Sequence, residues 1–306
     1  MNGRVLKSTG TWYDVLGDDG LHHKCRVRGK LRLEGSRETN PVAVGDFVSF
    51  EQEGEDASID AILERRNHMV RQAVKAGDHQ QVLAANIDQA VLIATVIQPR
   101  TSTGFIDRFL VTADAFDIQP LVIFNKTDLL DEDQQEVLSQ AEAIYAQIGV
   151  RTVSMSAIHE AHWAEVFELF KGKVSLITGH SGAGKSTILN HLAPDQVSQD
   201  VGDISHYSNK GKHTTTFAEM FVLRDNTFII DTPGIKEWGL PEIEDHELSG
   251  YFPEMRELRL QCKFGGSCLH HNEPRCAVIE AVEQGRISFN RYKNYLSMLL
   301  GEDNRK

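Results

Sequence analysis

The segment Gly179-His180-Ser181-Gly182-Ala183-Gly184-Lys185-Ser186 has the spacing GxxxxGKS, which suits a phosphate chain. Its glycines let successive backbone N–H groups curl around a β-phosphate, and Lys185 brings positive charge to the β and γ oxygens. The Ser186 hydroxyl can ligate Mg²⁺, with Thr187 following it into a helix. Asn125-Lys126-Thr127-Asp128 offers a second chemistry. Guanine carries an N1–H and an N2 amino group where adenine has no matching donors, so the Asp128 carboxylate can accept both hydrogen bonds. Asn125 can tie that loop together, and the Lys126 stem can lie on the ring. Ser154-Met155-Ser156-Ala157 adds backbone N–H groups and the Ser156 hydroxyl for guanine O6. In Asp231-Thr232-Pro233-Gly234, Asp231 can hold Mg²⁺ through water, and the Gly234 N–H can reach the γ-phosphate and register its loss.

Hydrolysis needs a positioned water. Lys210-Gly211-Lys212-His213-Thr214-Thr215-Thr216 lies where a GTPase places its first switch, and Thr215, with Thr214 as its rival, is the expected cap on Mg²⁺. Gly234 is followed by Ile235, which can neither donate nor accept a hydrogen bond, so the glutamine that many small GTPases carry there is missing. His213 is the polar candidate to orient the water. The expected catalytic set is His213, Lys185 and Thr215. Two other classes fit parts of the pattern: a P-loop ATPase or kinase indifferent to Asp128, and a non-catalytic GTP-dependent RNA-binding module indifferent to His213.

These loops need strand ends to hold them. Residues 90–97, 120–124, 150–153, 173–178, 217–223 and 227–230 are short apolar runs alternating with helical stretches, which predicts a mostly parallel sheet covered by helices. The glycine-rich loop follows one such run and precedes a helical pattern, the context this motif requires. Before residue 75 the texture is different. Residues 10–16, 21–33 and 48–51 read as strands separated by glycine turns, predicting a small β-barrel. Arg65 to Gln81, polar and aperiodic, reads as a linker. After Pro241 the chain turns helical and polar around a cysteine cluster.

Cys262, Cys268 and Cys276 with His270 offer three thiolates and an imidazole, enough for a closed tetrahedral Zn²⁺ site that serves structure; His271 is a rival ligand. Cys25 stands apart on a strand and is expected to be a buried small hydrophobe. Lys24, Arg26, Arg28, Lys30 and Arg32 alternate along the same strand and would line one face of it, a row suited to RNA phosphates. Arg286 to Leu300 adds Arg291 and Lys293 beside a helical packing face of Ile287, Tyr292, Tyr295, Leu296 and Leu299.

The order of the motifs is permuted. A standard GTPase presents its P-loop first and its guanine-reading loop late; here residues 125–128 and 154–157 precede 179–186. Together with Val44-Gly45-Asp46, Ala85-Asn86-Ile87-Asp88, Gly211 to Thr216 and the cysteine cluster, this order resembles the circularly permuted ribosome small-subunit-dependent GTPase A family of bacteria, over nearly the whole chain. The resemblance implies an OB-fold barrel (1–72) that binds RNA, a circularly permuted α/β P-loop GTPase domain (73–238) and a mainly α zinc-binding domain (239–306). It implies GTP hydrolysis stimulated by the small ribosomal subunit during its late maturation, with Mg²⁺ held by Ser186, Thr215 and Asp231. It also places the zinc-binding histidine at His270 and points to His213 as catalytic. The spacing Cys262-x5-Cys268 is one residue longer than the family pattern.

Composition sets the frame. The 306 residues carry 32 basic and 44 acidic side chains, a net charge of −12, which argues against indiscriminate coating of nucleic acid. The acidity is local. Residues 76–240 hold 11 basic and 21 acidic side chains, whereas residues 1–75 hold 12 of each. No run approaches the ~20 apolar residues of a membrane span, and Met1 to Lys7 lacks an apolar leader core, so a monomer in the reducing cytosol is expected.

Overall fold

The structure, a computed structural model, describes residues 1–28, 41–54, 56–71, 81–159, 163–194, 218–231 and 243–302. Its contacts divide the chain into two compact units. One comprises Met1–Val91, Ala157–Thr178 and Gly184–Lys236, the other Leu92–Ser156, Gly179–Ala183 and Glu237–Lys306.

In the first unit, β1 (Asn2–Ser8), β2 (Tyr13–Gly17), β3 (His22–Val27), β4 (Phe47–Glu53) and β5 (Asp56–Ile62) close a five-stranded barrel in the order 1-2-3-5-4. All pairings are antiparallel except β3 with β5, and β1 pairs with β4 to complete the ring. The inward residues Val5, Tyr13, Val15, Cys25, Val48, Phe50 and Ile59 fill it. Each such side chain contributes about 1.5–3 kcal/mol by leaving water. Cys25 is fully buried, as its isolation on an alternating strand predicts, and burial pushes its thiol up to about 12.

Of the stretch expected to be a linker, the described ends are strands instead. β6 (His68–Arg71) pairs with β7 (Gln81–Ala85). Met69 and Ala84, side by side in that register, are both buried. The same unit carries β11 (Val174–Thr178) parallel to β13 (Thr227–Asp231), with β12 (Glu219–Leu223) antiparallel beside β13. Helices α3 (Trp163–Phe170) and α4 (Lys185–Leu192) complete it.

In the second unit, β9 (Gln119–Phe124) lies parallel to β10 (Arg151–Ser154); β8 (Gln89–Ala94), the neighbour of β9 in strand order, begins in the first unit and enters the second at Leu92. Helix α1 (Thr103–Ala115) starts at Ser102, whose side chain accepts from the Phe105 N–H; α2 (Glu132–Gln147) starts in a capping box of Asp131 and Gln134. The C-terminal part is helical, as expected: α5 (Pro253–Arg256), α6 (Ala277–Glu283) and α7 (Phe289–Leu299) pack around Phe252, Met255, Val278 and Tyr295.

Arg291 departs from the expectation of an RNA-facing cation. It is buried, donating to Asp107 of α1 at 2.5 Å and to Glu254 of α5 at 2.5 and 3.0 Å, while Asn294 donates to the other Asp107 oxygen at 2.6 Å. Burial works against its charge, but Asp107 and Glu254 outweigh it and raise its pKa. The substitution Arg291→Met would leave Asp107 buried without its cation. Such a loss costs about 3–5 kcal/mol, to be read as a lower denaturation midpoint, whereas Lys293→Met on the same helix should change little.

Candidate functional site

The loop Asn125-Lys126-Thr127-Asp128, expected to read guanine, leaves β9 at Phe124. Asn125 is buried, its N–H donates to Ala94 O at 2.9 Å, and its side-chain amide donates to Ala183 O in the glycine-rich loop at 2.8 Å. Lys126 adopts a left-handed conformation (φ 65°), and its ammonium donates to Gln98 O at 2.5 Å, which stretches the apolar stem along the loop. Asp128 is exposed and accepts from the buried Ser156 hydroxyl at 2.5 Å. The hydroxyl expected to meet guanine O6 thus also bonds the carboxylate expected to read the base. Backbone bonds from Thr127 to Met155 and from Met155 to Phe124 knit the two loops, and Ala157 follows buried.

The glycine-rich loop follows β11 and runs into α4. Gly179 has φ 143°, and a Cβ there would collide with the Ile93 carbonyl; Gly184 has φ 102° as it enters the helix. Side chains at either position would strain the loop. His180 packs on the Phe105 ring at 4.2 Å, Ala183 is buried, and Ser181, Gly182 and Ser186 are exposed. Lys185 is half-buried. Burial lowers its pKa and Asp231, at the end of β13, opposes that shift. Thr187 is in the first turn of α4. Loops at the C-terminal ends of parallel strands, leading to a helix N-terminus, are where open α/β sheets bind nucleotides.

The second centre is closed. Cys262, Cys268, His270 and Cys276 are all buried, and their donor atoms lie within 4.8 Å of one another. Cys262 Sγ and Cys276 Sγ are 3.7 Å apart, and His270 Nδ1 lies 3.5 and 3.3 Å from them. A tetrahedron with Zn–S and Zn–N bonds of about 2.3 and 2.1 Å has edges of roughly 3.6–3.8 Å, so the donor set fits Zn²⁺. A single 3-10 turn, Gly265–Ser267, lies between the first two cysteines. His271 is exposed, which leaves His270 as the ligand. Burial pushes the Cys276 thiol up to about 12 and His270 down to about 4, so binding a dication there would expel the Cys276 proton.

Comparison with known proteins follows the same lines. The RsgA GTPase family matches residues 62–241, and the RsgA N-terminal domain family matches residues 2–59. The chain belongs to the RsgA GTPase family. It is 44% identical over 99% of its length to the small ribosomal subunit biogenesis GTPase RsgA of Flavobacterium johnsoniae, covering 94% of that protein. Against the protein of that name from Bacteroides fragilis it is 46% identical, with 98% of this chain and 96% of the relative covered. The crystal structure of YjeQ from Thermotoga maritima is similar with a TM-score of 0.79 and 33% identity, covering 100% of this chain and 99% of that one. YloQ, described as a circularly permuted GTPase, gives 0.75 and 30% over 100% and 96%. Like the family, this chain is a GTP hydrolase with a permuted motif order.

Other RsgA-type features divide between the described and undescribed parts. His213, Thr214, Thr215, Gly234 and Ile235 lie outside the described residues, as do Lys30 and Arg32. On β3, Lys24, Arg26 and Arg28 are exposed as the alternation predicts, but Arg28 is committed to Glu51, Glu53 and Asp60 at 2.6–2.9 Å. Lys24 and Arg26 instead face the Trp12 ring.

Several supporting residues have no sequence signature. The buried Ser249 hydroxyl lies 3.1 Å from His270 Nε2 and fixes which ring nitrogen faces the thiols. Glu273 accepts from the Leu269, His271 and Asn272 amides, while Tyr292 and Tyr295 hydroxyls donate to the His270 and Leu269 carbonyls. Ser249→Ala should weaken Zn²⁺ retention about 10–100-fold in chelator competition, with the zinc stoichiometry at saturation unchanged.

Proposed function

We propose that this chain hydrolyses GTP in the maturation of the small ribosomal subunit, binding the subunit when GTP-loaded and leaving after hydrolysis, and that the subunit stimulates turnover. The carrying observation is the Asn125–Ala183 hydrogen bond: it ties a guanine-specific loop to a phosphate loop that follows it in sequence. The relatives named small ribosomal subunit biogenesis GTPases, matched over at least 98% of this chain, support the biological setting. Asp128 reads the guanine N1–H and N2 amino group, Asn125 and Lys126 shape the loop, Ser156 holds Asp128, and the Ala157 backbone closes on O6. Residues 179–187 wrap the phosphates. Ser186, Thr215 and Asp231 hold Mg²⁺, whose charge stabilises the transferring phosphoryl group.

His213 orients the attacking water in place of the glutamine that Ile235 replaces. Slow intrinsic turnover follows, because the loop that carries His213 needs an external partner to order it. In this reading residues 1–72 form an RNA-binding barrel, 73–238 the GTPase domain and 239–306 the zinc domain. The protein acts as a cytoplasmic monomer. Among the described residues no helix is long and apolar enough to cross a membrane. γ-Phosphate orders the segments around Thr215 and Gly234, and the permuted connection after Gly234 carries that change toward the zinc domain.

The test is hydrolysis of GTP and ATP with and without purified small subunits. GTP-selective turnover that rises at least tenfold with subunits is expected; indifference to subunits overturns the ribosomal role while leaving the GTPase intact. Asp128→Asn should weaken GDP binding by roughly 100-fold or more, because the base's donors lose their acceptor. An unchanged GTP-over-ATP preference would sink the assigned role. His213→Ala should cut subunit-stimulated turnover roughly 100-fold or more with nucleotide affinity retained, measured by single-turnover kinetics beside equilibrium binding.

A further inference from the structure

We infer that Lys7, in the first strand of the barrel, is a positioning residue for the nucleotide's phosphates: it draws the Glu219 carboxylate away from Asp231 and cancels its charge there. The inference rests on the proposed roles of Asp231 and Lys185 and adds to them a side chain from the barrel. β1 and β12 pair antiparallel with Lys7 opposite Glu219, and β12 and β13 pair antiparallel with Glu219 opposite Asp231. Residues directly opposite each other in such ladders share a face of the sheet, with Cβ atoms about 4.5–5.5 Å apart. Lys7, Glu219 and Asp231 therefore form a row across three strands of one compact unit. Within it, Lys7 Nζ donates to Glu219 Oε1 at 2.7 Å.

Local backbone geometry builds this row. Val5 fills the barrel core, and plain alternation would send Lys7 inward beside it. Instead the β1–β2 register shifts between Val5 and Lys7, a bulge at Leu6 that re-aims Lys7 outward. Arg4 supports the same alignment further along β1: its guanidinium lies 4.6 Å from the centre of the Phe228 ring, on the strand that ends at Asp231. Asp14, opposite Lys7 on β2, is engaged by His22 at 3.0 Å. The Lys7 and Glu219 side chains are 44% and 33% exposed. Ion pairs so open to water add little to stability, so the consequence of this one lies in where it leaves charge.

At the end of β13 that charge matters. Lys185 is half-buried; burial works against its charge and Asp231 supports it. Asp231 and Ser186 offer the hard oxygen donors that Mg²⁺ takes, and Lys185 has to meet a polyanion. A second carboxylate on the neighbouring strand, without a cation of its own, would face Asp231 as a like charge and lower the affinity for phosphate. Lys7 removes that repulsion, and the barrel thereby contributes to the electrostatics of the nucleotide site.

The experiment is a double-mutant cycle in the full chain, with Lys7→Met, Glu219→Gln and both together, read as GDP affinity in EDTA and in excess Mg²⁺. Lys7→Met should weaken GDP binding about fivefold in EDTA and by less with Mg²⁺, whose charge offsets the bare Glu219. The loss should shrink as salt is raised. Adding Glu219→Gln should restore affinity to within about twofold of the parent, and Lys7→Arg should retain it. Equal loss in Lys7→Met and in the double variant overturns the inference, because Lys7 would then act by holding strands together and not by cancelling a charge. A Lys7→Met chain that binds GDP as the parent does overturns it too. Glu219→Gln alone should bind GDP at least as tightly as the parent; weaker binding is a third contrary result, and it requires no stable Lys7→Met chain. Asp231→Asn, measured in parallel, reports separately on the proposed function. It should abolish the gain in affinity that Mg²⁺ brings; if that gain survives, the assignment of Asp231 to the metal fails, while the cycle in EDTA still decides the role of Lys7.

Discussion

The buried amide of Asn125, donating to Ala183 O at 2.8 Å, is the bond on which the nucleotide chemistry depends. It joins a loop that can recognise guanine to a loop that can hold phosphate, across 58 residues of chain. In the permuted order no short covalent connection does that work. A carbonyl inside the glycine-rich loop left without a partner would cost about 1–3 kcal/mol, and the same bond sets the loop's shape. The Asn125 N–H is meanwhile spent on Ala94 O. One residue thus fixes three segments, at 94, 125 and 183. Aspartate, the closest in shape, has no donor for that carbonyl, and glutamine is a methylene longer.

The C-terminal module solves a different problem. Its core of Phe252, Met255, Val278, Tyr295 and Met298 is small, and its three cysteines and His270 sit inside that core. Left without a cation the Cys276 thiol stays protonated under burial and contributes only as a weak hydrophobe. With a dication the same four side chains become a cross-link between Cys262 and Cys276. The surrounding polar groups are spent in anticipation of that geometry. Glu273 gathers three amides of the knuckle, and His270 holds a left-handed backbone at φ 53° that Tyr292 secures through the carbonyl.

Legibility in the sequence followed the kind of signal each feature leaves. The strands β8, β9, β11 and β13 were readable because strands buried on both faces are unbroken apolar runs. The phosphate, guanine and cysteine motifs were readable because their chemistry demands particular residue types at short spacing. β1, Asn-Gly-Arg-Val-Leu-Lys-Ser, was not, since a barrel strand buried on one face with a polar start shows too few alternations. The β6–β7 hairpin was missed because its partners are separated by a polar stretch. Arg28 looked like its neighbours Lys24 and Arg26; only the pairing of β4 and β5 reveals the three carboxylates that claim it. Arg291 read as a surface cation because its counter-ions, Asp107 and Glu254, lie 184 and 37 residues away. Ser249 carries no local signal at all, since a serine becomes an imidazole partner only through the fold.

Arg291 also constrains how a nucleotide signal could reach the metal module. Lys126 donates to Gln98 O, the turn behind it is pinned by the Thr95 N–H on the Thr101 hydroxyl at 3.0 Å, and Ser102 then caps α1. From α1, Asp107 binds Arg291 of α7, and Tyr292, the next residue, holds the His270 carbonyl. Lys126 and the cysteine cluster are therefore linked by a short series of bonds that stay inside one compact unit. Moving the module relative to α1 would expose or orphan a buried ion pair at a cost of several kcal/mol, more than a typical coupling energy of 1–3 kcal/mol. These bonds are thus suited to holding the C-terminal helices against α1.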